Sequence, residues 1–151
     1  MKLLLSLLIT LAVGSIAGIA TASSIGTWYA ALNKPFFNPP NWIFAPVWTT
    51  LYILMGIALF LIWRLPATPA RNKALPIFYA QLALNFAWSF IFFNFHQTGA
   101  AFAEILLMWA AIVITIRHFY ALQKAAAWLL VPYLLWVSFA SVLNFSIWQL
   151  N

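Results

Sequence analysis

The chain has 151 residues, of which 66% are hydrophobic and 5% charged, with seven lysines and arginines, one acid and no cysteine. A water-facing surface needs roughly a quarter charged positions, so lipid must be the solvent of most of this chain. The same counts exclude a catalytic carboxylate pair, thiolate chemistry, sulfur metal sites and disulfides.

Crossing about 30 Å of hydrocarbon takes roughly 17–25 apolar residues at helical rise. Five runs have that length, at residues 3–22, 43–63, 74–95, 99–116 and 125–150. They predict an all-α membrane protein, a five-transmembrane-helix bundle forming a single domain over residues 1–151. Lys2, the apolar stretch 3–13 and Ala20-Thr21-Ala22 also resemble a cleavable signal peptide. The apolar run continues through Ile16 and Ile19 to a spanning length, and residues 1–22 are expected to stay as the first helix.

The connection 23–42 holds Trp28, Tyr29, Lys34, Pro35, Phe36, Phe37 and Trp42, too many rings for a solvated tether. Its turn formers, Asn33-Lys34-Pro35 and Asn38-Pro39-Pro40-Asn41, predict a compact aromatic lid over the bundle. Two roles stay open to Trp28 and Trp42: anchors in an interfacial aromatic belt, or parts of the lid. Pro66 and Pro69 mark the loop after the second helix, Pro76 is placed in the first turn of the third, and Pro132 predicts a kink in the fifth.

Polar side chains inside membrane spans tend to face the bundle interior. At about 100° per residue, Gln81, Asn85, Trp88, Ser89 and Phe92 share one face of the third helix, and Ala80, Ala83 and Ala87 the opposite one. The first face suits a cavity wall, although Asn85 could equally bond a neighbouring backbone. The second is a small-residue stripe fit for close packing, within the protomer or in a homodimer. Tyr133, Trp136, Ala140 and Asn144 line one face of the fifth helix, and the second offers Trp48, Tyr52 and Gly56. Joined, these faces predict an aromatic cavity floored by Gly56 and Ala140, suited to a flat, mostly apolar ligand with a few polar handles.

Glu104, about one turn inside the fourth helix, is expected to snorkel to water, with a proton relay as its other reading. His96 and His118 lie roughly 30 Å apart by helical rise, so no metal site is expected, and phosphate-loop and dinucleotide signatures are absent. Lys2, Arg64, Arg71, Lys73, Arg117 and Lys124 fall on one side of an alternating bundle and Lys34 alone on the other. The positive-inside rule then sets the N-terminus in the cytoplasm and the C-terminus outside, favouring a bacterial inner membrane. The net charge of +6 is thereby topological. It implies contact with membrane lipid and not with nucleic acid.

Trp28-Tyr29, Leu32-Asn33-Lys34-Pro35, Pro39-Pro40, Trp42, Val47-Trp48 and Leu51-Tyr52 resemble the first loop and second helix of the translocator protein family, also called tryptophan-rich sensory proteins or peripheral benzodiazepine receptors. Asn85 with Trp88-Ser89 resembles its third helix. Ala127-Trp128-Leu129-Leu130, Pro132-Tyr133, Trp136, Phe139-Ala140, Asn144 and Trp148 resemble its fifth. The resemblance implies a bundle, commonly dimeric, that binds porphyrins, haem-like tetrapyrroles, sterols or synthetic isoquinoline and benzodiazepine ligands under the first loop. Its pocket positions fall on Tyr29, Trp48, Asn85, Ser89, Trp136 and Ala140. The family's sterol motif is missing from the fifth helix, where no Lys or Arg follows Tyr133, while Arg117-His118-Phe119 with Leu122 fits its reversed form.

The function expected is a membrane receptor, sensor or regulator that stacks a tetrapyrrole among Trp48, Trp136 and loop aromatics. Porphyrin or haem is then a ligand, and no cofactor is required. Two alternatives follow from the same residues. One is light- or oxygen-dependent porphyrin breakdown with Trp48 and Trp136 as redox-active neighbours, and the other is transport of tetrapyrroles or sterol-like lipids.

Overall fold

A computed structural model covers residues 1–151. It contains five long helices: α1 (Lys2–Ile25), α2 (Asn41–Trp63), α3 (Pro69–Ser89, continued by a wider π-type turn over Phe90–Asn94), α4 (Thr98–Leu122) and α5, built from Lys124–Leu129 and Val131–Leu150. Each is long and apolar enough to cross a membrane. The apolar runs underestimate them at their polar ends. Thr68 caps α3, its hydroxyl accepting from the Arg71 N–H at 3.2 Å, with Pro69 in the first helical position. Arg71, Asn72 and Lys73 are therefore helical, and α4 likewise runs on past residue 116 through Arg117 and His118 to Leu122. Two proline placements need correction on this account. Pro69 opens α3 instead of lying in the loop, and Pro76 sits inside the helix beyond its first turn. In α5 the helix is interrupted at Leu130, and Pro132 falls in the first turn of the resumed segment.

The helices form a ring in which α1 lies beside α2 and α3, α4 beside α3 and α5, and the first segment of α5 against α2. At the end carrying six of the seven cations the ring is closed by a dense core. Met55, Leu59 and Ile62 of α2, Phe78 of α3, Ile112 and Phe119 of α4 and Leu130 of α5 are all buried there. Gly56 belongs to the α1–α2 contact and not to a cavity floor. A Cβ on it would stand 2.8 Å from the Leu7 side chain and 3.1 Å from the Leu7 Cα. Close approach at this level lets the Thr10 hydroxyl donate to the Tyr52 carbonyl at 2.8 Å. The C-terminal carbonyls of α2 are covered by Arg71, which donates to Ile62 O at 3.3 Å and Trp63 O at 3.0 Å.

Toward the other end the ring opens, because the second segment of α5 diverges from α2 and the facing part of α1 is built from Gly14, Ser15, Ala17 and Gly18. Those side chains are too small to fill the gap. A second, smaller core closes the extreme end around Tyr29, Phe92, Phe93, Leu143 and Ile147. The π-type turn of α3 brings Phe92 and Phe93 inward together, and the Ser24 hydroxyl donates to the Phe93 carbonyl. His96 follows with φ of 58°, a left-handed conformation held by stacking of its ring on Trp28 at 4.1 Å.

Candidate functional site

Between the two cores lies a cavity of about 490 Å³, within the range of roughly 300–1,000 Å³ usual for small-molecule sites. Its walls are rings: Trp48 and Phe44 from α2, Trp88 and Phe92 from α3, Trp136 and Phe139 from α5, with Tyr29 at the loop end. The α1 side is smooth backbone and small side chains from Gly14 to Ala22. Gly14 is required there, since a Cβ would come within 2.4 Å of the Tyr52 ring.

The loop over the cavity is tied down at three points. A 3-10 turn, Tyr29–Ala31, is held by Lys34, whose Nζ donates to the carbonyls of Tyr29 at 2.9 Å, Leu32 at 3.0 Å and Ala30 at 3.3 Å. The Tyr29 hydroxyl donates to Asn38 Oδ1 at 2.7 Å. Burial pushes that hydroxyl up to about 12 from its ordinary 10.0, with the Asn38 hydrogen bond working the other way. At the far side the Asn33 backbone pairs with the Asn151 side chain, Asn33 N donating to Asn151 Oδ1 at 3.0 Å and Asn151 Nδ2 to Asn33 O at 2.9 Å.

Seven residues singled out in the sequence as ligand-contacting, Tyr29, Trp48, Tyr52, Ser89, Trp136, Ala140 and Asn144, line this cavity. Asn85 and Tyr133 do not. They lie just beneath it in a buried relay that joins three helices: Tyr52 donates to Asn85 Oδ1, Asn85 Nδ2 to the Tyr133 hydroxyl at 2.9 Å, and Tyr133 to Gln81 Oε1 at 2.7 Å. Of the loop residues, Trp42 lines the cavity while remaining 74% exposed. Trp28 instead packs outside it, on His96 and edge-on to Phe92. Lys34 and Pro35 are not in the lining; Lys34 acts on the loop backbone. Missed by the sequence reading is the α1 wall, whose signal was the run of small residues at 14, 15, 17 and 18.

The model of the TspO/MBR family matches residues 6–149. The chain belongs to that family. It is 45% identical over 152 residues to the tryptophan-rich protein TspO of Archaeoglobus fulgidus, covering 100% of this chain and 97% of the relative. It is 42% identical over 126 residues to the translocator protein of Ovis aries, covering 82% and 75% of the two chains. Against the tryptophan-rich sensory protein of Cereibacter sphaeroides it is 40% identical over 124 residues, covering 82% and 77%. With five spanning helices, this TspO-family chain is a multi-pass membrane protein.

Within this TspO-family cavity the polar groups divide into spent and free. Asn144 is spent: its Oδ1 accepts from Trp88 Nε1 at 3.0 Å and its Nδ2 donates to the Thr98 carbonyl at 2.9 Å. Trp136 Nε1 is buried and has no partner. A buried, unpaired donor is costly to leave unmet, and the residue that carries it is one of those lining the cavity. Ser89, on α3, is a further polar residue of the lining, with Ser15, Thr21, Asn41 and Thr49. Glu104 departs from its expected snorkelling role, because both carboxylate oxygens are buried without a partner. Six residues of rise put it about 9 Å below the start of α4, farther than a glutamate side chain reaches.

Proposed function

We propose that this chain is a membrane receptor or sensor that binds porphyrin- or haem-like tetrapyrroles and similar flat apolar ligands inside the helix bundle. The observation that carries the reading is the ring-lined, mainly apolar cavity between the two cores, one of whose lining residues, Trp136, has an unpartnered N–H. Flat rings offer stacking faces to Trp48, Trp88 and Trp136, and one donor fixes the orientation of a ligand acceptor. Membership of the family supports the same ligand class by resemblance. No resident cofactor is needed for such a role.

Transport would need a second opening at the basic end, where Met55, Leu59, Ile62, Phe78 and Phe119 fill the core. In this reading the basic end faces the cytoplasm of a bacterial inner membrane, following the positive-inside rule. A second copy packs on α3, where Ala80 and Ala83 are exposed and Ala87 half-buried.

The test is titration of the purified protein with protoporphyrin IX, followed by quenching of tryptophan fluorescence, in darkness and then under illumination. Saturable quenching, weakened by Trp136→Ala and blocked by Ala140→Trp, is expected. Quenching that neither saturates nor responds to either substitution rules the cavity out as the binding site. Light-dependent loss of the porphyrin spectrum, abolished in Trp48→Phe and Trp136→Phe, moves the assignment to porphyrin breakdown.

A further inference from the structure

At the basic end, α3 and α4 flank a recess of about 500 Å³ lined by Lys73, Arg117 and His118 with Ile114 and Leu122. The other cations of the chain are already engaged. Lys2 reaches the Trp63 carbonyl at 3.5 Å, Arg71 caps α2, and Lys34 holds the loop. Arg64 lies 5.8 Å from the centroid of the Phe60 ring, and Lys124 5.5 Å from that of Tyr120. Lys73 and Arg117 alone have neither a hydrogen bond nor an aromatic face, and both border the same recess. The third member, His118, ties Nδ1 to the Ile114 carbonyl at 2.9 Å. That carbonyl can only accept, so the hydrogen is on Nδ1 and Nε2 is the ring's free nitrogen.

No acid can neutralise this group. The single carboxylate, Glu104, is 13 residues back along α4, about 20 Å by helical rise. Two unpaired cations held across one concavity attract an anion from outside the protein, and basic recesses between membrane-spanning helices at the charged interface suit lipid headgroups. Ile114, one turn deeper in α4 than Arg117, adds an apolar wall on the side of the recess that leads into the hydrocarbon. We infer that the recess between Lys73 and Arg117 is a binding site for a phosphate-type anion, the phosphodiester of an acidic phospholipid or free phosphate. It is separate from the ring-lined cavity, and nothing in its assignment depends on the ligand bound there.

The experiment uses the full chain in two arms. In the first, the protein is placed in nanodiscs of phosphatidylcholine mixed with phosphatidylglycerol, and the lipid it retains on release is identified by native mass spectrometry. In the second, nanodiscs of phosphatidylcholine alone are titrated with inorganic phosphate and followed by 31P NMR. Retention of phosphatidylglycerol over phosphatidylcholine is expected. It should fall at least about five-fold in K73Q/R117Q, survive Lys73→Arg and be unchanged in Arg64→Gln, whose guanidinium already lies against Phe60. Saturable phosphate binding that K73Q/R117Q abolishes, without lipid preference, assigns the site to the free anion. Absence of both signals, or equal loss in Arg64→Gln, overturns the site.

Discussion

Asn85 and Tyr133 meet at 2.9 Å beneath the cavity, with the Asn85 amide donating to the Tyr133 hydroxyl while its carbonyl accepts from Tyr52. One side chain on α3 thus joins α2 to α5 where those helices begin to separate. Asn85→Ala leaves the Tyr52 hydroxyl buried without an acceptor and removes a donor from Tyr133, a cost of about 1–3 kcal/mol. The expected result is a lowered thermal midpoint in detergent, with protoporphyrin IX affinity falling as a consequence of lost cavity shape. An unchanged midpoint alongside lost affinity would instead put Asn85 in direct contact with the ligand.

Trp136 carries the opposite expectation. Its N–H has no partner to lose, so Trp136→Phe keeps a stacking face and costs the empty protein only ring packing against Phe44 and Phe139, with no hydrogen bond broken. Affinity for a ligand with a well-placed acceptor should drop by up to about ten-fold, the equivalent of ~1.4 kcal/mol. Following the porphyrin's own absorbance avoids using the altered tryptophan as reporter. Identical affinities in the two proteins would show that the indole N–H does not meet the ligand.

How much of this was readable beforehand depended on the kind of signal. Helix number and the one-sided distribution of cations follow from long apolar runs, a strong pattern in any membrane protein. The inward faces of α3 and α5 were legible because amides and hydroxyls at helical spacing have few options in lipid. Periodicity gives a direction but no depth along the helix axis, which is why Asn85, Tyr133 and Gly56 could be placed on inward faces and yet not be told apart from cavity residues such as Ser89. Helix ends extend past the apolar runs because Arg71, Asn72 and Lys73 are polar yet helical, reaching beyond the hydrocarbon. The π-type turn at Phe90–Asn94 had no sequence signal at all, as it adds one residue to a turn whose composition remains apolar.

A methyl group added at the α1–α2 contact and one added at the open end of α1 have different consequences. Gly56→Ala drives a methyl group to 3.1 Å from the Leu7 backbone, so α1 must move, at a cost of about 1–3 kcal/mol for overpacking. Gly18→Ala meets nothing within 4 Å and should be neutral or slightly stabilising. Thermal unfolding of both variants tests whether the α1–α2 contact is rigid at the basic end. Equal tolerance at the two sites would mean that α1 shifts freely.

Tyr29 gives the loop a pH dependence whose sign follows from its burial. The hydroxyl is raised from 10.0 to about 12 in the closed loop, and an opened loop returns it to the ordinary value. Below pH 10 both forms are protonated and the closed loop keeps its full stabilisation. Between pH 10 and 12 the open form ionises first, so closure weakens progressively and is lost as pH passes the closed-form value. The rate of protoporphyrin IX release, measured by stopped-flow mixing, is therefore expected to rise over that interval. Tyr29→Phe removes the hydroxyl bonded to Asn38, so its release should be faster at pH 8 and rise less above pH 10 than in the wild type. Equal rises in the two proteins would show that Tyr29 does not control the loop. In Lys34→Met the three carbonyls of the 3-10 turn lose their common donor. Faster release at every pH is expected there, with the rise above pH 10 retained, because Tyr29 still titrates.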